Sequence, residues 1–287
     1  MTPDEYCQNR AAGSGSSFYY SFLFLPPERR RAITALYALC REVDDVVDEI
    51  ADKSLAATKL AWWRGEIAQL YDGRPSHPVL LALAPHVPVF RIGREQLFEI
   101  VDGMQMDLNQ DRYPDEVALR LYCRRVAGVV GELAASIFGY QDPRTLEYAD
   151  RLGLAFQLTN IIRDVGEDAR NGRIYLPLDD LQRHGVGVPS LLAARAELQE
   201  GEPFRALMRT QVERARAAYR DAFALLPPVD IRAQRPGLIM ASIYLALLAE
   251  IERDGFKVVS QRTSLTPVRK FWLAWKTWVS GGVPIVG

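Results

Sequence analysis

Cysteine is scarce in this chain. The three present, Cys7, Cys40 and Cys123, are odd in number, scattered and free of any CxxC spacing. That argues against a disulfide framework or a thiolate zinc site and suits a reducing cytoplasm. An excess of one charge sign is lacking too: 35 Lys and Arg face 36 Asp and Glu, so nothing global draws the chain to nucleic acid. The opening residues carry Asp4 and Glu5 and no basic-then-apolar run, which does not read as a signal peptide. No stretch approaches the roughly 18 uninterrupted apolar residues of a membrane span. Internal repeats and low-complexity linkers are missing, and few segments alternate with period two. Together these absences predict a soluble, cytoplasmic protein that does not bind nucleic acid.

What is present is a large helical core. At 48% hydrophobic, 287 residues can build one big helical domain or two ordinary ones. Pro26-Pro27 opens a long helical pattern to about Ile50, since Pro is tolerated in a first turn. Further patterns run over roughly 57–71, 78–84, 94–110, 115–138, 143–170, 203–226 and 236–254, divided by Gly and Pro. Asp142-Pro143 reads as an N-cap followed by Pro at the first helical position. Residues 171–202 read as a loop-rich connection with one or two short helices. The predicted fold class is all-α. Cys40 reads as a small core residue and Arg29-Arg30-Arg31 as a solvated face.

Acidic clusters at 44–49 and 164–168 form two matched stripes. Tyr37, Arg41, Asp44 and Asp48 step by four, three and four, which keeps them on one helical face. Gln157, Asn160, Asp164 and Asp168 step by three, four and four, again on one face, in a helix otherwise rich in Leu, Ile, Val and Phe. A polar line set in an apolar helix implies something polar inside the protein. At a solvated surface a like-charged i,i+4 pair costs about 0.2–0.5 kcal/mol. Facing a cavity, unpaired carboxylates would cost several kcal/mol each unless cations compensate them. Mg²⁺ meets that need, because it takes oxygen ligands and characteristically bridges one or two carboxylates to a phosphate. A lone pair of this kind is most often a solvated face, and Asp45/Glu49 shows how common the spacing is. Two stripes of matched spacing are far more specific.

The words REVDDVVD (41–48) and NIIRDVGED (160–168) closely resemble the two aspartate-rich motifs of the squalene/phytoene synthase family. The resemblance runs from Tyr6-Cys7 to about residue 270. It includes Ser17-Phe18, YCRRVAGVVG (122–131) and Arg173-Ile174-Tyr175-Leu176-Pro177 in family order. The run SGSSFYYSFLFLPPERRRAITALYALCREVDDVVDE looks most like the bacterial presqualene diphosphate synthases of hopanoid pathways. The resemblance implies one helical isoprenoid synthase domain over 1–287 with a central cavity, and a C-terminal tail over 268–287. It implies two or three Mg²⁺ ions held by Asp44, Asp48, Asn160, Asp164 and Asp168, with Arg41 and Tyr37 sharing the catalytic work. Ser17, Tyr37, Arg41, Gln157, Arg163, Arg173 and Tyr175 fall where the family contacts diphosphates or orients those contacts. Phe18, Phe22, Tyr122, Val126, Val129, Leu133 and Leu154 fall where it lines a channel for prenyl tails, and Tyr244 and Arg262 match more loosely. On the residues alone, Tyr122 reads equally as a core tyrosine, and Gly128 and Gly131 as sites of tight helix packing.

The implied reaction takes two farnesyl diphosphates per turnover. Diphosphate leaves the donor, the acceptor's double bond attacks the allylic cation, and proton loss closes a cyclopropane. The base is the released diphosphate or a tyrosine hydroxyl. Aromatic faces such as Phe18, Tyr37 and Tyr122 would stabilise the cation by roughly 0.5–2 kcal/mol each. NADPH is not expected, and the absence of a GxGxxG after a strand is weak support for that. Downstream squalene-forming enzymes are the expected partners. Within enzymes, phytoene or dehydrosqualene synthase is the alternative. Outside them stand a prenyl-lipid binding protein, which would not need four metal-placing carboxylates, and a helical scaffold, which would expose the acidic stripes. Trp272, Trp275 and Trp278 among Lys270 and Lys276 leave two readings open: peripheral contact with the inner face of a membrane, or packing on the domain.

Overall fold

The structure, a computed structural model, describes residues 1–13 and 18–287, without the side chains of Phe18 and Tyr19. The expectations placed on Ser17 and on the Phe18 ring therefore fall outside the described residues. The chain is helical in the order α1 (Pro3–Gly13), α2 (Phe18–Phe22), α3 (Pro27–Glu49), α4 (Lys53–Tyr71), α5 (Pro78–Leu83), α6 (Val87–Phe90) and α7 (Arg94–Asn109). There follow α8 (Glu116–Cys123), α9 (Val129–Phe138), α10 (Arg144–Arg170), α11 (Leu178–Arg183), α12 (Val188–Leu192), α13 (Glu202–Leu225), α14 (Arg235–Arg253) and α15 (Pro267–Ser280). No strand occurs among the described residues, only an isolated bridge between Arg112 and Ile174. None of these helices is long and apolar enough to cross a membrane.

Two hydrophobic cores organise the helices. One gathers around α3, α4 and α7, where Leu36, Leu60 and Leu97 are fully buried; the other gathers around α10, α13 and α14, with Ala155, Met208 and Ile239 at its centre. The segment from α8 to α9 stands between them, and Val126 packs against both. Here the helix is interrupted by a π turn over Arg124–Gly128. A π turn takes in an extra residue and rotates everything after it relative to a straight helix. That rotation corrects the expectation for Val129 and Leu133, which turn into the α3/α7 core and not toward a channel; Leu154 likewise packs in the α10 core.

Glycine makes the close approach. A Cβ on Gly131 would lie 2.4 Å from the Ala149 carbonyl oxygen, and one on Gly153 would lie 2.4 Å from that of Ala127. The backbones of α10 and the α8–α9 segment touch there, so Gly131 packs helices as well as lining the cavity. The Asp142-Pro143 boundary is real but one residue late: α10 begins at Arg144, whose N–H donates to the Asp142 carboxylate at 2.9 Å. Arg29 is not part of a solvated face, because its guanidinium reaches the Phe138 carbonyl, while Arg30 and Arg31 are exposed. The presumed C-terminal tail is largely the helix α15, capped by the Thr266 hydroxyl and lying on α14 and α2. Helix α1, which the sequence pattern did not signal, is tied to α3 by Arg10, which reaches Glu42 and Asp45.

Candidate active site

The two stripes meet at the mouth of one cavity. Helix α3 presents Tyr37, Arg41 and Asp44 to it, and α10 presents Gln157 and Asn160. The cavity has a volume of about 230 Å³, and behind this polar mouth its walls are apolar, with Phe22, Leu36, Val126, Leu152, Phe156 and Met240 among them. Tyr122 and Tyr244 complete the lining near the mouth. Asp48, Arg163, Asp164, Asp168, Arg173, Tyr175 and Arg262 lie beyond the cavity wall. Arg173 joins the two stripes: its guanidinium donates to Asp48 at 2.9 Å and to the Val47 carbonyl at 3.1 Å. Its backbone N–H donates to the Asp168 carbonyl at 2.8 Å. Its charge also draws the Asp168 carboxyl down, so acids far apart in sequence feel one basic residue.

Each arginine at the mouth covers a carboxylate. Arg41 reaches Asp44 and Asp45 at 2.6 Å, and both Arg163 and Arg262 reach Asp164 at 2.8 Å. The Asp44 and Asp164 side chains are partly withdrawn from solvent, at 36% and 18% exposed, whereas Asp48 is 50% exposed. The charge balance is nevertheless uneven. Burial pushes the Asp164 carboxyl upward, but Arg163 and Arg262 outweigh it and hold it below the ordinary range. Asp44 goes the other way, to about 7, through burial and the charge of Asp48. Asp168 rises to about 8 through burial and Asp164, and its carboxylate takes no hydrogen bond among the described residues.

Asp107 is the residue that sequence reasoning missed. It is buried on α7 and accepts hydrogen bonds from Tyr122 and Tyr175, both at 2.8 Å. The rings of Tyr113, Tyr122 and Tyr175 pack together with centroids 5.3–5.8 Å apart. Burial lifts the Asp107 carboxyl to about 6 against the pull of both hydroxyls, and its charge in turn raises Asp44 and Asp168. A signal existed: Asp107 falls at helical spacing from Ile100 and Met104, inside the buried stripe of its helix. Tyr122 proves to be both things at once, a buried ring anchored on Asp107 and part of the cavity wall. Tyr175 spends its hydroxyl on Asp107 and stands behind that wall.

Comparison with known proteins fits this geometry. The family model described as squalene/phytoene synthase matches residues 11–269. The chain belongs to the squalene/phytoene synthase family. It is 36% identical to a phytoene synthase of Arthrospira platensis, over 93% of this chain and 89% of that protein. It is also 36% identical to a presqualene diphosphate synthase of Rhodopseudomonas palustris, over 88% and 89% respectively. Among solved structures, a dehydrosqualene synthase with bound ligand superposes with a TM-score of 0.85 at 26% identity, covering 98% of this chain and 97% of that one. A squalene synthase, HpnC, from Alicyclobacillus acidocaldarius gives 0.77 at 29%, covering 88% and 94%. With the family comes the reaction class: the chain is a prenyltransferase of the kind that condenses prenyl diphosphates head to head.

The donor set suits the divalent cation that such a squalene/phytoene synthase site calls for. The Asn160 side-chain oxygen is buried without a hydrogen-bond partner, while its amide donates to Gln157 at 3.3 Å. An orphaned amide oxygen one helical turn from Asp164, on the face that also carries Asp168, offers oxygen donors of the kind a hard cation takes. Among the described residues no three acidic, histidine or cysteine side chains converge into an all-protein cage.

Two expectations follow. A carboxyl raised above its ordinary 3.8 stabilises the fold fully below that value and loses the contribution as pH climbs through the folded value. Between pH 7 and 8 the His77 and His86 imidazoles, which burial holds below their ordinary 6.5, are mostly neutral in both states, leaving Asp44 and Asp168 to dominate. The melting temperature of the metal-free protein should therefore fall across that window, and Mg²⁺ with pyrophosphate should flatten the fall. A melting temperature that rises with pH without divalent ions would contradict this. Separately, Asp107→Asn leaves two tyrosines sharing one acceptor. Turnover should drop on the order of 100-fold through misplacement of Tyr122, with the circular dichroism spectrum unchanged; wild-type turnover would remove Asp107 from the site.

Proposed function

We propose that residues 1–287 act as one catalytic domain that joins two farnesyl diphosphates head to head, giving presqualene diphosphate and diphosphate on the way to squalene and hopanoids. One observation carries this reading: the two stripes bring Tyr37, Arg41, Asp44, Gln157 and Asn160 to one apolar cavity, with Asp48 tied to the second stripe through Arg173. Asp44, Asp48, Asn160, Asp164 and Asp168 are the residues that would hold two or three Mg²⁺ ions. Once bound, these cations would neutralise the departing diphosphate.

The chain's own residues do the remaining work. Arg41, Arg163, Arg173 and Arg262, which now cover Asp44, Asp164, Asp48 and Asp164, become free to grip the diphosphate oxygens when the acids take cations. Ser17 and Gln157 belong to the same diphosphate-binding set, and Tyr175 helps orient it through Asp107. Tyr37, Tyr122 and Tyr244 present aromatic faces where the allylic cation forms, and Phe22, Phe156 and Val126 keep water from it. The acceptor's double bond supplies the electrons for the new C–C bond, and a proton leaves as the cyclopropane closes. No nicotinamide cofactor takes part. The location fitting an amphipathic product with two long prenyl chains is the cytoplasmic face of a membrane, where downstream squalene-forming enzymes would collect it.

A second reading, two C20 diphosphates giving phytoene, is favoured by relatives such as the phytoene synthase of Mycobacterium tuberculosis, 38% identical over 90% of this chain and 84% of that protein. Product analysis separates the two. Purified protein with Mg²⁺ and farnesyl diphosphate should give a cyclopropyl C30 diphosphate, in equal yield with and without NADPH. A C40 hydrocarbon from geranylgeranyl diphosphate, with farnesyl diphosphate left unconverted, would replace the first reading by the second.

A further inference from the structure

Helix α15 is seated on one side and bare on the other. Ala274 and Thr277 are buried, the Thr277 hydroxyl lies 2.7 Å from that of Ser242, and Trp278 stacks on Phe24 at 5.0 Å beneath the Arg235 guanidinium. So one of the three tryptophans packs on the body of the protein. The opposite face carries Val268, Phe271, Trp272, Trp275 and Val279, each half exposed or more. Their spacing places all five in one stripe along the helix. Elsewhere among the described residues, exposed large apolar side chains are scattered along the chain, and nowhere else do five gather on one helix.

The charge that α15 itself carries has one sign, from Arg269, Lys270 and Lys276. From Gly255 to the end of the sequence stand Lys257, Arg262, Arg269, Lys270 and Lys276 and not one Asp or Glu, in a chain whose net charge is −1. Lys276 lies over the Trp272 ring at 5.1 Å, at the edge of the stripe. Arg269 reaches back to Glu250 on α14. Half-exposed aromatic rings flanked by cations match the boundary between lipid tails and anionic headgroups.

We propose that this face of α15 is a docking surface for an anionic lipid bilayer. The proposal deepens the membrane-side location given above and rests on it. The placement also has a consequence for the cavity. Helix α15 packs directly on α14 and α2, and those two helices supply Met240, Gly237 and Phe22 to the cavity wall. A bilayer seated on α15 lies one helix away from the apolar chamber, close to where an oily product must leave.

The test is sedimentation of the full chain with vesicles of equal parts phosphatidylglycerol and phosphatidylcholine, and with vesicles of phosphatidylcholine alone. The wild-type protein should sediment with the anionic vesicles and be released by high salt. Trp272→Ser/Trp275→Ser should lower the partition about tenfold or more, and Lys276→Glu should weaken it on anionic vesicles only. Both variants should turn over detergent-dispersed farnesyl diphosphate like the wild type, since none of these side chains lines the cavity. That turnover measures the catalytic reading separately, because vesicle binding needs no substrate. Equal partition of wild type and double variant would overturn the docking surface. So would a lipid-free wild-type dimer that the double variant cannot form, which would assign the stripe to a second copy of the chain.

Discussion

Repulsion among carboxylates at one cavity mouth governs this structure. Asp44, Asp48, Asp107, Asp164 and Asp168 come from three helices, and four arginines offset only part of their charge. Asp164 has two guanidinium partners and sits low, whereas Asp168 has none and sits high. A site evolved for rigidity alone would pair these charges evenly or replace them with apolar groups, because unmatched buried charge costs several kcal/mol. The imbalance is intelligible if the missing positive charge arrives with the ligand. On the proposed reading arginines and cations would exchange partners, the acids holding metal and the guanidinium groups the diphosphate.

The architecture keeps that mouth attached to a dry chamber. Helices α3 and α10 are long enough to carry acids at one end and apolar side chains further along the same face. Glycines at 131 and 153 bring α10 against the α8–α9 segment, and the π turn within that segment decides which of its residues see the cavity. Asp107 fixes the Tyr122 hydroxyl where the polar and apolar zones meet.

Much of the fold and the outline of the site were legible in the sequence, because helical period and matched acidic spacing are local signals. Ends of helices 3, 7, 13 and 14 lie within a residue or two of where Pro, Gly and periodicity put them. Phe22, Tyr37, Arg41, Asp44, Tyr122, Val126, Gln157, Asn160 and Tyr244 do line one cavity. What was not legible depends on tertiary context. Val129 and Leu133 were misplaced because a π turn shifts helical phase without an obvious mark in the sequence. Asp107 was passed over because a single acid within an apolar stripe looks like noise until two tyrosines, 15 and 68 residues away, converge on it. The C-terminal helix could have been read from Thr266-Pro267, a capping residue followed by Pro at the first helical position.

The partner exchange at the mouth can be measured without any turnover. Calorimetric titration with inorganic pyrophosphate, with and without Mg²⁺, reports whether acids and anion are bridged by metal. Binding by the wild-type protein should be at least about tenfold tighter with Mg²⁺, and Asp164→Asn should lose that gain while keeping its fold. Equal affinity with and without Mg²⁺ in the wild-type protein would contradict the account at its centre.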